Sequence, residues 1–99
     1  MDTFSMKCFL CVAKRLNLSK AADTMGISQP AMSAQIKKME LELGVPLFVR
    51  DTHTVYLTPE GETVRAHFQQ VLADYEKLTE ELEGQKIFYK KTASAWSRR

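Results

Sequence analysis

Two short helical patterns within residues 19–43 are separated only by the three residues "GIS", and this arrangement constrains the fold more than any other feature of the chain. Ser19 is expected to cap the first helix, and Gly26 provides the left-handed or tight-turn conformation that ends it. Ser28 is expected to cap the second helix, which Gly44 ends. Two helices joined by so short a turn are predicted to form a helix-turn-helix.

The spacing of apolar residues predicts how these helices pack. Small side chains at Ala21 and Ala22 allow the next helix to cross closely, and an apolar repeat over residues 4–16 predicts an additional helix on the same core. The buried stripe of the helix after Ser28 recurs at steps of four, three and four and consists of Met32, Ile36, Met39 and Leu43.

Two strand-like runs follow, "PLFVR" at 46–50 and "VYL" at 55–57, on either side of the polar turn "DTHT". A hairpin placed after a helix-turn-helix is a wing. Residues 1–58 are therefore predicted to form one mainly α, winged helix-turn-helix domain with three helices and a β-hairpin wing.

A long helix is predicted after the wing, because Thr58 can cap it and Pro59 suits its first position. Its heptad seam consists of Val64, Phe68, Val71, Tyr75, Leu78 and Leu82. A rod of about 37 Å over residues 59–83 is too long for a small domain to cover, so we expect a partner helix rather than packing on its own domain alone. Residues 59–89 are assigned to this linker and dimerisation helix. Residues 90–99 are assigned to a basic tail that is unstructured or begins a missing effector domain.

Charge is unevenly distributed along the 99 residues, although the net charge is only +2. Residues 1–57 carry seven Lys or Arg and five Asp or Glu, residues 58–83 carry two and seven, and residues 84–99 carry five and none. The acidic middle segment is a poor surface for nucleic acid, so such contact is expected from the front of the chain.

Several classes of protein and site are disfavoured. No apolar run of 18 residues and no secretory cleavage signal is found, so a cytoplasmic location is expected. Cys8 and Cys11 form C-x-x-C, but neither a second cysteine pair nor a suitably spaced histidine accompanies them. We interpret them as small apolar residues and predict no metal and no cofactor. An enzyme is not expected either, because no nucleophile–base pair or phosphate loop is present.

The side of the third helix opposite its buried stripe predicts a binding surface. Gln29, Ser33 and Lys37 form an outward row at steps of four. The DNA major groove admits one helix, and residues near the N-terminus of that helix read base edges. Gln29 can bond adenine through its amide, Ser33 can bond several bases, and Ala31 or Ala34 can contact a thymine methyl. The row is bordered by Pro30, Ala34 and Lys38.

Contacts with the DNA backbone are expected around this row. Lys37 and Lys38 suit phosphates that flank the groove, and the free N–H groups near Ser28 can take another phosphate. Arg50, just before the wing turn, is a candidate for phosphate or minor-groove contact. His53 at the predicted wing tip can also touch DNA, although a solvent-exposed histidine without a role is the simpler interpretation.

The segment "AADTMGISQPAMSAQIKKMELELGVPLFVRDTHTVYLTPEG" resembles the N-terminal winged helix-turn-helix of the LysR-type transcriptional regulators. The shared elements, all in register, are the alanine pair, Ser-Gln-Pro-Ala, the Ser-x-x-Ile step, Glu-x-x-Leu-Gly, Leu-Phe-x-Arg and Leu-Thr-Pro-x-Gly. The likeness extends more loosely from Phe4 to about Gly84.

The resemblance implies that the helix from Ser28 lies in the major groove and the hairpin lies against the minor groove. It also implies that the long helix pairs with an antiparallel mate, in a dimer or tetramer on an interrupted palindrome. By matching position it implies DNA contact for Gln29, Pro30, Ser33 and Arg50. Ala34 departs from the longer polar side chain of many members, and the wing turn is less basic than usual, so weaker minor-groove contact is expected. Members usually continue into an effector domain that binds a small-molecule inducer, and no inducer site can be named in this chain.

Two other functions stay open at this point. A chain with an intact seam and no sensor could form mixed dimers with a full-length regulator and disable it. A winged helix of the molybdate-regulator type has a similar N-terminal domain. The leading prediction is a module that binds specific DNA sequences and regulates transcription.

Overall fold

The computed structural model describes residues 1–51 and 54–97, and the side chains among them as far as residue 86. In this part of the chain the elements are α1 (Thr3–Arg15), α2 (Leu18–Met25), α3 (Gln29–Leu43), β1 (Phe48–Arg50), β2 (Val55–Leu57) and α4 (Pro59–Ser97). The two strands pair antiparallel, with Val49 opposite Tyr56. The predicted fold class, a winged helix-turn-helix followed by a long helix, is confirmed.

The ends of the short helices follow local chemistry. The Ser28 side chain accepts from the Ala31 backbone N–H at 3.2 Å and so caps α3 as predicted. Gly26 and Gly44 end α2 and α3 with φ angles of 70° and 75°, in the left-handed region that glycine adopts without strain. The helix ends that frame the turn are therefore those that the sequence predicts.

The cap of α2 differs from the prediction. Asn17, not Ser19, caps this helix, because its side chain accepts from the Lys20 backbone N–H at 2.9 Å. Asparagine is at least as good a cap as serine, and this earlier start brings Leu18 into the helix, where it packs against the core. Ser19 consequently lies in the first turn of α2 with an exposed side chain.

The core forms around Phe9 of α1, which is fully buried. Its ring lies 5.2 Å from that of Phe48 and 5.6 Å, edge-on, from that of Phe68, so one aromatic cluster joins α1, the wing and α4. Met32, Ile36 and Met39 are buried as predicted. Leu43 is 41% exposed, and its assignment to the buried stripe is wrong, because it is the last helical residue before the chain turns at Gly44.

The segment between α3 and β1 is held from both sides. The Glu40 carboxylate accepts from the backbone N–H groups of Leu47 at 2.7 Å and Phe48 at 3.3 Å. Thr58 donates its backbone N–H to the Leu47 carbonyl at 3.0 Å and its hydroxyl to the Pro46 carbonyl at 2.7 Å. These bonds set the wing against α3 and the start of α4.

Helix α4 continues beyond the predicted bounds. It extends through Ser97, past residue 89 where the linker helix was predicted to end, and covers most of the segment predicted as a basic tail. Gly84 costs a helix only about 1 kcal/mol relative to alanine, and no proline follows it. The division of the chain into domains stays a prediction.

The predicted seam of α4 divides into two parts. Phe68 is buried in its own domain and Val64 packs against the same core, so both contact residues of their own chain, and their assignment to a dimer contact stays a prediction. The remaining seam side chains are between 43% and 51% exposed, and they are Val71, Tyr75, Leu78 and Leu82. This distal part is the more exposed portion of the seam.

Candidate nucleic-acid interface

The N-terminal half of α3 presents the predicted row to solvent. Gln29 and Lys37 are exposed, and Ser33 between them is half-buried. The residues that border the row are exposed as well, and they are Ser28, Pro30, Ala31, Ala34 and Lys38. The four-residue spacing of Gln29, Ser33 and Lys37 places these three in one row along α3, separate from the buried stripe of Met32, Ile36 and Met39.

Two side-chain hydrogen bonds connect this row to neighbouring elements. The Ser19 hydroxyl of α2 donates to Gln29 Oε1 at 3.1 Å. The Arg50 guanidinium of β1 donates from Nη2 to Ser33 Oγ, also at 3.1 Å. The helix-turn-helix and the wing therefore meet at the two side chains predicted to read bases.

A concave, polar space of about 430 Å³ lies where α2, α3 and the wing converge. Its lining includes Asn17, Ser19, Gln29, Arg50, Asp51 and Thr54. The Asp51 backbone N–H donates to the Thr54 carbonyl at 2.8 Å, which closes the wing tip on that side. His53 was predicted at this tip and lies outside the described residues.

The carboxylates near the row are positioned by other contacts. Glu40 is half-buried, and its carboxylate accepts from the Leu47 backbone N–H before β1. The pKa of the Asp2 carboxyl lies below its ordinary value, because the Ser5 backbone N–H and hydroxyl donate to it, and the positive charges of the chain's N-terminus and of Lys38 add smaller effects.

Sequence reasoning missed Ser19 as part of this surface. Its assignment as a helix cap concealed it, because a capping side chain is expected to bond the backbone of its own helix. It also missed the bond from the Ser5 hydroxyl to Gln35 Oε1 at 3.1 Å, which ties α1 to α3. Both bonds link residues on different helices, so no single helical pattern contains them.

The two cysteines lie in the helical core region. Cys8 is fully buried and Cys11 is half-buried with its Sγ 3.7 Å from the Ala21 carbonyl oxygen. Burial, with a smaller contribution from Cys11, raises the pKa of the Cys8 thiol. Across residues 1–51 and 54–97 no cluster of three metal-ligating side chains occurs, and none of the helices there combines the length and apolarity that crossing a bilayer requires.

Comparison with known proteins assigns this arrangement to a family. The sequence model described as "Bacterial regulatory helix-turn-helix protein, lysR family" matches residues 4–62, which include α1, α2, α3, the wing and the first turn of α4. The chain belongs to the lysR family. Its wing and helix-turn-helix are those of a LysR-type DNA-binding domain, as the sequence motifs predicted.

Individual relatives agree with this assignment. The chain is 41% identical to the HTH-type transcriptional activator IlvY of Salmonella typhimurium over 85 residues, which are 86% of this chain and 29% of that protein. It is similar in structure to the BenM DNA-binding domain bound to catB site 1 DNA, with a TM-score of 0.80, 30% identity and coverage of 84% and 92% of the two chains. It is also similar to the CbnR DNA-binding domain in its DNA complex, with a TM-score of 0.83 and 26% identity. That likeness covers 86% of this chain and 98% of the CbnR chain.

This LysR-family chain spans less than a third of the length of IlvY. Its likeness to the BenM and CbnR structures, in contrast, covers nearly all of those two DNA-binding domains. The shared part therefore consists of the winged helix-turn-helix together with the adjoining portion of α4.

Proposed function

We propose that this chain binds specific sequences of double-stranded DNA in the cytoplasm as the DNA-binding module of a transcriptional regulator. The observation that carries the proposal is the exposed N-terminal half of α3, on which Gln29 and Ser33 lie next to Arg50 of the wing. BenM and CbnR, whose DNA-binding domains have similar folds, were both determined in DNA complexes, which supports the same role here.

In the proposed complex the start of α3 enters the major groove, which is about 12 Å wide. Gln29 and Ser33 are then the base-reading side chains, with Ala31 and Ala34 small enough to contact a thymine methyl. Lys37, one turn further on, is positioned for a phosphate at the groove edge. In the first turn of α3 Pro30 has no N–H and the Ala31 N–H is bonded to Ser28 Oγ, so the Gln29 N–H is the candidate donor to a second phosphate.

The wing contributes mainly through Arg50. Its guanidinium bonds Ser33 and is exposed, so it can bridge α3 and the backbone of the adjoining minor groove. Asp51, next to it, disfavours close approach of phosphates to the turn. Affinity is consequently expected to depend on α3 and on simultaneous binding of two copies.

A pair of chains is proposed to form through the distal seam of α4. Four half-exposed apolar side chains spaced at steps of four, three and four lie on one side of this helix, and burial of the exposed half of each would contribute about 1 kcal/mol. A second copy supplies an identical stripe, and antiparallel pairing would give a two-fold dimer that reads an interrupted palindrome.

The DNA-binding proposal is tested by measuring affinity for selected and random duplexes over a range of salt concentrations. Gln29→Ala is expected to weaken binding to the selected sequence by about 1–3 kcal/mol while leaving random-sequence binding unchanged. Lys37→Ala is expected to weaken binding to both the selected and the random duplexes. It should also reduce the slope of log K against log salt concentration by about one unit. Lys77→Ala, which removes an exposed lysine of α4 far along the chain from α3, is the matched control. Equal loss on both duplexes for Gln29→Ala would contradict base recognition.

The pairing proposal is tested by sedimentation of seam variants. Leu78→Glu is expected to give monomers with unchanged melting of the winged domain, because the pair would have to bury two unpaired carboxylates among apolar side chains. Ala73→Glu, at an exposed position on the opposite side of α4 from the seam, is expected to remain paired. Phe68→Glu does not serve here, since Phe68 is buried against Phe9 and its substitution would unfold the domain. If Leu78→Glu still sedimented as a dimer, pairing through this seam would be refuted.

A further inference from the structure

We propose that Ser19 is a positioning residue that determines which bases Gln29 accepts. The inference rests on the proposed DNA-binding function and adds a specificity mechanism to it. Ser19 lies on α2, outside the helix that is proposed to enter the groove. Its effect on the DNA contact is exerted through the amide of Gln29.

The argument begins with the hydrogen bond itself. Ser19 donates its hydroxyl proton to Gln29 Oε1 at 3.1 Å. The oxygen and the NH2 group of a glutamine amide diverge from the same trigonal carbon, so a bond to Oε1 turns the NH2 group away from the Ser19 hydroxyl. Gln29 is exposed, so this NH2 group can present its protons to the DNA.

Ser33 follows the same pattern one turn later. Arg50 Nη2 donates to Ser33 Oγ at 3.1 Å, which occupies an acceptor site of the hydroxyl and leaves its own proton to be donated elsewhere. Side chains from α2 and β1 thus engage an oxygen on Gln29 and an oxygen on Ser33. The exposed surface of α3 at Gln29 and Ser33 is therefore pre-arranged to donate hydrogen bonds.

This arrangement has a consequence for base preference. Adenine is recognised bidentately when a glutamine amide both donates to N7 and accepts from the N6 amino group. Guanine presents two acceptors, N7 and O6, and thymine presents O4. An amide whose oxygen is held by Ser19 favours the acceptor-rich guanine edge, because adenine recognition requires that oxygen to be shared or released.

Releasing Gln29 Oε1 from Ser19 would cost about the net free energy of one neutral hydrogen bond, which corresponds to a factor of about two to ten in the equilibrium constant. We therefore expect the wild-type chain to prefer guanine over adenine at the base pair that Gln29 contacts. Ser19→Ala is expected to shift the ratio of guanine to adenine toward adenine by about two- to tenfold. Ser19→Thr retains a hydroxyl and is expected to behave like the wild type.

The experiment is selection of bound duplexes from a randomised DNA library by the full chain, followed by sequencing. The base pair read by Gln29 is identified as the position at which Gln29→Ala loses preference. Thr24→Ala is the matched control, because Thr24 is another exposed α2 hydroxyl, bonded to the Lys20 carbonyl at 2.9 Å and not to α3. Helix capping is unaffected in Ser19→Ala, since Asn17 caps α2.

A shift confined to the Gln29 position in Ser19→Ala, with rescue in Ser19→Thr and no shift in Thr24→Ala, supports the inference. A uniform loss of affinity with unchanged base preference would overturn it, because Ser19 would then act as a phosphate contact. The inference would also be overturned if Ser19→Ala changed neither base preference nor affinity. It would be overturned as well if Gln29→Ala lost no base preference at any position. Failure of the wild type to select any sequence would instead refute the proposed function from which it follows.

Discussion

Gly61, in the first turn of α4, offers a sharp test of how the wing is joined to the long helix. A β-carbon built at this position would lie 2.2 Å from the Leu47 carbonyl oxygen and 2.8 Å from Leu57 Cδ2. Ordinary contacts of this kind require more than 3 Å, so Gly61→Ala would force the two backbone segments apart by roughly 1 Å. The Leu47 carbonyl accepts from Thr58 at 3.0 Å and cannot move freely.

The expected magnitude combines three effects. Overpacking against backbone costs about 1–3 kcal/mol, and stretching the bond from Thr58 to Leu47 costs about 0.5–1.5 kcal/mol. Alanine returns about 1 kcal/mol through its higher helix propensity. The free energy of unfolding should therefore fall by about 2 kcal/mol, and the melting temperature by about 8–16 °C for a domain of this size.

The assay is thermal and urea unfolding followed by circular dichroism. Gly84→Ala is the matched control, because Gly84 lies in the same helix with no atom within 4 Å of the added β-carbon. That variant should gain up to about 1 kcal/mol or leave the transition unchanged. If Gly61→Ala were as stable as Gly84→Ala, the close approach of α4 to the segment before β1 would be refuted.

Two other predictions concern the interior of the domain. Glu40→Ala should lower the free energy of unfolding by about 1–3 kcal/mol in urea denaturation, because the backbone N–H of buried Leu47 loses its acceptor. Glu42→Ala, an exposed carboxylate on the same helix, should change it by less than about 0.5 kcal/mol, and equal effects would contradict the anchoring role. In the folded protein, iodoacetamide should alkylate Cys11 well before Cys8, because Cys8 is fully buried and its thiol pKa is raised by that burial. Mass spectrometry that found Cys8 labelled first would refute this order.

The candidate interface was predictable in its composition but not in its connections. Helical periodicity correctly identified Gln29 and Lys37 as exposed, because the apolar stripe determines which side of α3 faces away from the core. It did not reveal the bonds from Ser19 to Gln29 or from Arg50 to Ser33. Partners on different elements, 10 and 17 residues apart in the chain, leave no mark on the pattern of any single helix.

Local chemistry in the sequence was sufficient for the order of elements, the helix-turn-helix, the wing and most of the caps, because capping and turn formation depend on residues within a few positions of one another. Tertiary packing was needed to distinguish Phe68, buried against Phe9, from the exposed Tyr75 on the same seam. Both residues satisfy one heptad pattern. Such a pattern specifies the apolar side of a helix, whereas the length over which that side is covered depends on where the other elements end.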